Sequence, residues 1–261
     1  IYGSRGANGV VLIETKQGQG KPTITFDAYY GVSTPEKKLD VMSGEEWVAW
    51  NMFRRNLNHL RAGGSMSDPM SARSAGNQIP SSWASTTEFT DWQDAVMHTA
   101  PIQSYQASAS AKGDIGSIYF SAGYMNQEGI IKGSDYNRFA LRINGDQKLA
   151  RNLSLNASIA YSYGTQNTAN SNADGWGAIA YTAMVMAPIQ EIRDADGKYT
   201  NFSGTPWGGT NPVGMAELYK NKTVNSRLLA NMSLIYEIID GLTFRVNAGA
   251  EVNAGSSDRY I

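Results

Sequence analysis

Alternation of apolar and polar residues marks seven stretches of the chain as β-strands. Each stretch covers about ten positions, and successive side chains of a strand point to opposite faces of the sheet. The clearest example is Leu153–Tyr163, in which Leu155, Ile159 and other apolar residues share one face while serine and asparagine share the other. The predicted strands are Thr23–Val32, Ile102–Ala111, Ser117–Met125, Tyr136–Lys148, Leu153–Tyr163, Val224–Ile238 and Leu242–Val252.

The connections between these strands alternate in length. The long or medium connections are 33–101, 126–135 and 164–223, and the short ones are 112–116, 149–152 and 239–241. Transmembrane β-barrels combine short turns on one side of the membrane with long loops on the other. A soluble antiparallel sandwich also alternates apolar and polar residues, but its strands are usually shorter and its loops do not segregate by side. The pattern therefore predicts an all-β chain that forms part of a transmembrane antiparallel β-barrel.

An open sheet of seven strands is not stable in a membrane. Its two edges would leave backbone groups unpaired in hydrocarbon, so sheets that span a bilayer close into barrels. We therefore expect further strands after Ile261. Because the chain begins at Ile1 without a starting methionine or a secretory signal, we also expect residues before it.

Composition removes several classes of function. The net charge is −1, charged residues make up 17% of the chain, and cysteine is absent. The chain therefore offers no basic field for nucleic acid and no thiolate or disulfide site. Its apolar runs are far shorter than the roughly 18 residues of a membrane helix.

Residues that could carry catalysis or bind a metal are scattered. His59 and His98 lie apart without cysteine neighbours, which gives little support for a metal site. The segment Asp194–Gly197 has some calcium-loop character but lacks the full ligand pattern, so we interpret it as the turn of a hairpin over 190–200. No catalytic set, cofactor or metal is predicted, and the chain is not expected to be an enzyme.

The opening segment has a glycine at every third position. Gly3, Gly6 and Gly9 precede the apolar run Val10–Ile13, which is typical of a buried strand. Phosphate-binding loops place their glycines after a strand and before a helix, and here that order is reversed. The segment therefore predicts a tight turn leading into a strand.

Four segments of the chain resemble one protein family. They are IYGSRGANGVVLIETKQG at the start, LDVMSGEEW at Leu39–Trp47, DWQDAVMHTAPIQSYQASASA at Asp91–Ala111 and YFSAGYMNQEGIIKGSDYNRFALRIN at Tyr119–Asn144. They are similar to SusC/RagA-type TonB-dependent outer-membrane transporters. The resemblance implies that residues 1–20 end a plug domain and that 21–261 begin a larger barrel. It also implies a plug motif of Gly3, Arg5, Gly6, Asn8 and Gly9.

The same resemblance implies a function. In this family a nutrient is imported actively across the outer membrane, with TonB as the energy-coupling partner and a SusD-like surface lipoprotein as a lid. The implied substrate is an oligosaccharide, with peptide as the minority alternative. The resemblance further implies that the barrel lies in outer-membrane lipid, and we expect the long loops outside the cell and the short turns in the periplasm. Other interpretations are a receptor for siderophores or other small ligands, an adhesive barrel without transport, and a barrel-borne enzyme.

Tryptophan is confined to the predicted outer loops, at Trp47, Trp50, Trp83, Trp92, Trp176 and Trp207. Ser43 and Glu46 form a capping box that begins a helix. An apolar stripe on that helix has to be buried against the barrel rim, the plug or a partner; it consists of Trp47, Trp50, Phe53, Leu57 and Leu60, and Gly63-Gly64 ends the helix.

Two roles are open for these rings. They contact a sugar or a partner lid, or they pack the long loops into a stable cap. Trp176 and Trp207, which glycines flank, are the better candidates for contact. For Arg5, the alternatives are an ion pair with a wall carboxylate such as Glu237 or Glu251, or simple solvation.

Overall fold

The computed structural model describes residues 16–18, 20–169, 178–200 and 210–260. The plug motif of Gly3, Arg5, Gly6, Asn8 and Gly9 lies outside the described residues, as do Trp176 and Trp207.

Seven strands form one antiparallel sheet in which each strand pairs with the next along the chain. The predicted number, type and order of the strands are therefore confirmed. The strands are β1 (Thr23–Ser33), β2 (Ala100–Lys112), β3 (Gly116–Glu128), β4 (Asp135–Ala150), β5 (Leu153–Asn167), β6 (Lys220–Ile239) and β7 (Leu242–Tyr260).

The last two strands extend beyond their apolar segments. β7 continues past the predicted end at Val252 to Tyr260, and β6 begins at Lys220 rather than Val224. The ladder between them pairs Lys220 with Tyr260 at the far end. Backbone hydrogen bonds do not depend on side-chain polarity, so the ladder persists where the apolar alternation has stopped.

The register aligns residues of like polarity across all strands. Phe120 lies opposite Ile143, which in turn lies opposite Ile159, whereas Ser121 lies opposite Arg142. We call the two sides the apolar face and the polar face. The apolar face includes Ile24, Phe26, Tyr105, Phe120, Phe139, Leu141, Ile143, Ile159, Leu228, Met232, Leu234, Phe244 and Val246. The polar face includes Asp27, Ser121, Arg138, Arg142, Asn144, Ser158, Arg227, Asn231, Arg245 and Glu251.

All helical elements of the described chain lie in connections at the same end of the strands. They are α1 (Gly44–Arg61), three 3₁₀ turns (Met70–Ala72, Ala75–Asn77 and Ser81–Ala84), α2 (Trp92–Val96), α3 (Ile179–Val185) and α4 (Pro212–Leu218). We call the connections at this end of the strands, 34–99, 129–134 and 168–219, the cap. At the opposite end of the strands there are only the short turns 113–115, 151–152 and 240–241. Among the described helices, none is both long enough and apolar enough to cross a membrane.

The hydrophobic core of the described chain lies in the cap and not on the sheet. Its buried members come from the first and third loops, with Ile131 of the second loop packed against them. These core residues are Trp92, Val96, Ala169, Ile179, Ala183, Met186, Val213 and Ala216. Large side chains on the apolar face of the sheet stay exposed, such as Phe26 at 68% and Phe244 at 56%.

Candidate functional site

Hydrogen bonds join the first and third loops of the cap. The indole N–H of the buried Trp92 donates to the carbonyl oxygen of Ala187 at 3.0 Å. The backbone N–H of Thr90 donates to Pro188 O at 2.7 Å, and its hydroxyl donates to Gln190 O at 2.7 Å. Because these bonds satisfy buried polar groups, the two loops behave as one packed unit.

The second loop joins the same unit. Lys132 donates from Nζ to Ala95 O at 2.7 Å and from its backbone N–H to Val96 O at 3.0 Å. The backbone N–H of His98 donates to Ile130 O at 3.0 Å. Gly133, with φ of +83°, lies so close to Ala216 that an added Cβ would be 2.5 Å from its carbonyl oxygen. All three loops of the cap therefore form one packed body.

The segment that leaves β1 is fixed to α2. The side chain of Gln93 pairs with both backbone groups of Leu39, accepting from N–H at 2.9 Å and donating to the carbonyl at 2.8 Å. The ammonium of Lys38 forms ion pairs with Asp94 and, at 3.4 Å, with Asp91. The hydrogen bond to Asp94 is the main reason that the pKa of Lys38 is raised.

Asn211 organises the end of the third loop, a role that our sequence analysis missed. Its side-chain oxygen accepts from the backbone N–H of Val213 at 3.0 Å and of Gly214 at 3.1 Å, and its amide donates to Ile192 O at 2.8 Å. An asparagine directly before Pro212 is the sequence signal for such a helix start.

The predicted turn at Asp194–Gly197 is confirmed. Gly197 has φ of +78°, and the Asp194 N–H donates to Lys198 O at 2.8 Å. On the two sides of the turn, Arg193 and Tyr199 both contact Glu217 of α4. Burial, followed by the hydrogen bond to Glu217, raises the pKa of Tyr199. These contacts fix the hairpin to α4.

Helix α1 begins with the predicted capping box. The Ser43 hydroxyl accepts from the Glu46 N–H at 3.2 Å, and the Glu46 carboxylate accepts from the Ser43 N–H at 2.9 Å. Gly63, with φ of +87°, follows its end as expected. The apolar stripe is not covered by the described chain, because Trp50, Phe53 and Leu60 remain 49%, 56% and 44% exposed. Its burial against the plug or a partner stays a prediction.

The opposite side of α1 contacts the rest of the cap. His59 is buried, and its Nε2 lies 2.9 Å from Asp68 Oδ2. Arg73 donates to the side-chain oxygen of Asn56 at 2.7 Å. A polar side of the helix therefore packs inward, and the aromatic side faces outward.

The tryptophans divide into buried and exposed rings. Trp92 and Trp83 are buried at 3% and 9% exposure. Trp47 packs edge-on against Trp83, with ring centroids 5.2 Å apart, while Trp50 lies on the outer surface beside Phe53. In this arrangement Trp83 and Trp92 pack the loops, and Trp50 presents its ring to the surroundings.

The two histidines serve separate contacts. His59 pairs with Asp68, and His98 lies 3.6 Å from Glu128. Within the described parts of the chain, no three His, Asp or Glu side chains come together as metal ligands.

Residues 16–18 lie against the polar face of the sheet. Asn144, only 2% exposed, donates to Lys16 O at 2.6 Å and accepts from the Ser158 hydroxyl at 2.7 Å. Gly18 packs on the backbone between β2 and β3, where an added Cβ would be 2.7 Å from Ile118 N. The chain therefore enters β1 from the polar side, a contact for which Gly18 was the available sequence signal.

Of the carboxylates considered for Arg5, one already has a cation. Glu251 accepts from Arg227 at 2.9 Å and from Asn253 at 2.8 Å. Since Arg5 lies outside the described residues, its pairing stays a prediction.

No protein-family model matches the chain. It is 28% identical over 268 residues to TonB-dependent receptor P26 of Formosa agariphila, a match that covers 100% of the chain and 24% of that receptor. It is 25% identical over 281 residues to TonB-dependent receptor SusC of Bacteroides thetaiotaomicron, covering 100% of the chain and 26% of SusC. The chain thus spans about a quarter of the length of these relatives.

Solved structures share the fold. The RagAB peptide transporter matches with a TM-score of 0.72 at 23% identity, over 98% of the chain and 31% of the matched chain. The RagAB peptide importer in its closed-closed state matches with a TM-score of 0.71 at 22% identity, over 100% of the chain and 31% of the matched chain. The chain is therefore similar in sequence to a segment of TonB-dependent receptors, SusC among them, and it shares the fold of the matched part of the RagAB transporter.

Proposed function

We propose that the chain forms part of the wall and outer loops of an active importer in a bacterial outer membrane. The observation that carries this proposal is the match to TonB-dependent receptors over the whole chain. The sheet supports it, because its continuous apolar face suits lipid and its polar face suits a lumen. The cap then faces the outside of the cell and the short turns face the periplasm.

Cysteine labelling of the intact receptor in cells tests this orientation. The chain has no cysteine, so a single Ser65→Cys or Asp240→Cys substitution introduces a unique label site within it. We expect a membrane-impermeant maleimide to label Ser65→Cys on intact cells, and Asp240→Cys only after the outer membrane is permeabilised. The reverse pattern would contradict the proposed orientation.

Energy for import would come from TonB, acting through residues outside this chain, and residues 1–20 would end the plug domain. The position of Lys16 and Gly18 on the polar face supports this division, because a plug fills the lumen. We expect uptake through the intact receptor to stop when TonB is deleted, while ligand binding at the surface remains. Uptake that continues without TonB would exclude active import.

The exposed stripe of α1 is the proposed contact for a SusD-like lipoprotein. Trp50, Phe53 and Leu60 form an aromatic and aliphatic surface on the outside of the cap. Beside it lies a cleft of about 610 Å³ lined by residues that include Met42, Trp47 and Met186. Exposed apolar surface of this kind is typical of a partner interface.

Copurification of the intact receptor with its lipoprotein tests that contact. We expect the double variant Trp50→Ala/Phe53→Ala to lower the recovery of the lipoprotein. Asn58→Ala, an exposed polar position on the same helix, is the matched control and should leave recovery unchanged. Equal recovery with both variants would remove α1 from the interface.

The proposed substrate is an oligosaccharide, and a peptide is the alternative that the RagAB neighbours favour. Ring contacts to it would come from the partly exposed Trp47 and Trp50 and from Trp176 and Trp207. Trp83 and Trp92 would act indirectly, because they hold the cap together. Growth of receptor-deletion cells on glycan or peptide mixtures identifies the substrate class. Growth lost only on peptides would overturn the oligosaccharide assignment.

A further inference from the structure

An arginine-lined recess lies on the polar face of the sheet. Arg138 and Arg142 are four residues apart on β4 and share that face. Arg138 lies opposite Met125 and Gly164, and Arg142 lies opposite Ser121 and Ala160, so small residues face both arginines except at Met125. The two arginines, Met125, Ser121 and Ala160 are among the residues that line a recess of about 390 Å³.

The two guanidinium groups have no partner among the described residues, neither a hydrogen bond, an ion pair nor a ring contact. Arg227 lines the same recess and forms an ion pair with Glu251 at 2.9 Å. The charge of Glu251 is therefore balanced by Arg227 and not by Arg138 or Arg142. Asp27 is on the same face but on β1, three strands from β4. Asp146, on the same face of β4 four residues beyond Arg142, accepts from Ser117 and does not line the recess. The recess therefore carries two positive charges that no acidic residue of its described lining compensates.

The recess lies between the cap and the segment that precedes β1. Arg138 is three residues from Asp135, where β4 begins at the cap. Residues 16–18 contact the wall at Asn144, which is two residues further from the cap than Arg142. The arginines thus face the space above that segment, where a ligand from the cap side would arrive.

We propose that this recess binds a carboxylate of an acidic oligosaccharide on its way through the barrel. The proposal rests on the import of oligosaccharides proposed above. Guanidinium groups bind carboxylates with paired, charge-assisted hydrogen bonds. The neutral lining includes Ser104, Gln106 and Ser162, whose hydroxyl and amide groups match sugar hydroxyls.

A peptide fits the recess less well than an acidic sugar chain. A peptide carries an ammonium at its N-terminus, and a site for it would offer a free carboxylate. None of the described residues that line the recess is acidic, and Glu251, the partner of the lining Arg227, is held by Arg227 and Asn253. An acidic oligosaccharide carries negative charge and hydroxyls without a cation, which matches the groups present.

Calorimetric titration of the intact purified receptor tests the proposal. The probes are short oligomers of galacturonate, guluronate, mannuronate and glucuronate, each compared with its neutral methyl ester. We expect at least one acid form to bind about tenfold more tightly than its ester. Arg138→Gln/Arg142→Gln should abolish that difference and leave the affinity for the ester unchanged.

Arg245→Gln is the matched control, because Arg245 lies on the same face but on β7, outside the recess. Equal loss of acid preference in this control would show a general field, not a site, and would overturn the proposal. The absence of any acid preference across the panel would overturn it too. Oligoglutamate that binds with the same dependence on Arg138 and Arg142 would make the occupant a peptide and reject the oligosaccharide.

Uptake by cells separates this inference from the function on which it rests. If neutral oligosaccharides are still imported with TonB but no acid form is preferred, only the recess assignment fails. If the wild-type receptor imports no oligosaccharide at all, the proposed function itself fails.

Discussion

The cap and the sheet of this chain bury their apolar residues in different ways. In the cap, Val96 is 0% exposed and Trp92 is 3% exposed, because three loops pack on one another. In the sheet, Ile24 and Phe26 are 82% and 68% exposed, although they are as apolar as the residues of the cap core. The cap is therefore a small globular unit, while the sheet depends on a layer outside the described chain.

Different forces hold the two regions together. The sheet has continuous ladders between every pair of neighbouring strands, and these satisfy its backbone groups. The cap has short helices and irregular loops, so its stability depends on side-chain packing and on single hydrogen bonds such as Trp92 to Ala187. Substitutions should therefore act locally in the cap, and on the sheet according to the face that they change.

The largest expected effect is in the cap core. Trp92→Ala removes a buried ring and its hydrogen bond, and should lower the free energy of unfolding of the cap by about 3–5 kcal/mol. Limited proteolysis of the intact receptor should show faster cleavage in the loops and an unchanged barrel. Trp50→Ala is the control, since its ring is exposed; equal cleavage in both variants would contradict a packed cap.

The next effect distinguishes the two faces of the sheet. Met232→Arg places a charge on the apolar face, where it should destabilise a barrel folded in lipid vesicles by about 2–4 kcal/mol in a urea titration. Ser233→Arg, one residue along β6 and on the polar face, should cost much less. Equal costs would mean that the apolar face is not in contact with lipid.

A smaller effect concerns the entry into β1. Asn144→Ala removes the hydrogen bonds to Lys16 and Ser158, at a cost of about 1–3 kcal/mol for the two together. Hydrogen exchange should increase in the segment before β1. Asn156→Ala, on the same face of β5, is the control. Unchanged exchange in Asn144→Ala would show that this contact does not hold the segment.

The smallest effect depends on pH and is confined to the turn after α1. The backbone N–H of Ser65, and then His59, lower the pKa of Asp68 below its ordinary value of 3.8. A carboxylate with a lowered pKa stabilises the fold above the unfolded value, and this stabilisation is lost as the pH falls through the folded value. The opening of 62–70, measured by hydrogen exchange relative to the intrinsic amide rate at each pH, should increase below about pH 4 in the wild type and should not change with pH in Asp68→Asn.

Local patterns were sufficient to predict the strands and several turns. The alternation between Leu153 and Tyr163 predicts β5 because side chains alternate between faces at every residue. The capping box of Ser43 and Glu46 involves residues only three apart, and the turn at Gly197 needs only its own backbone conformation. In each case the interaction that forms the element lies within the segment that predicts it.

Contacts between distant segments could not be predicted in this way. The bond from Trp92 to Ala187 joins residues 95 positions apart, and the one from Asn144 to Lys16 joins residues 128 apart. Nothing near Trp83 or Trp50 in the sequence distinguishes the buried ring from the exposed one, because burial depends on which loop packs alongside.

The order of polar and apolar residues in this chain is enough to specify seven strands, their two faces and the end of the strands at which the long loops lie. All of these follow from the two-residue period of a strand and the spacing of the turns. The interlocked cap, the outward stripe of α1 and the recess of Arg138 and Arg142 follow from the packing and register of segments far apart in the chain. Their free energy comes from contacts that exist only once those segments have met.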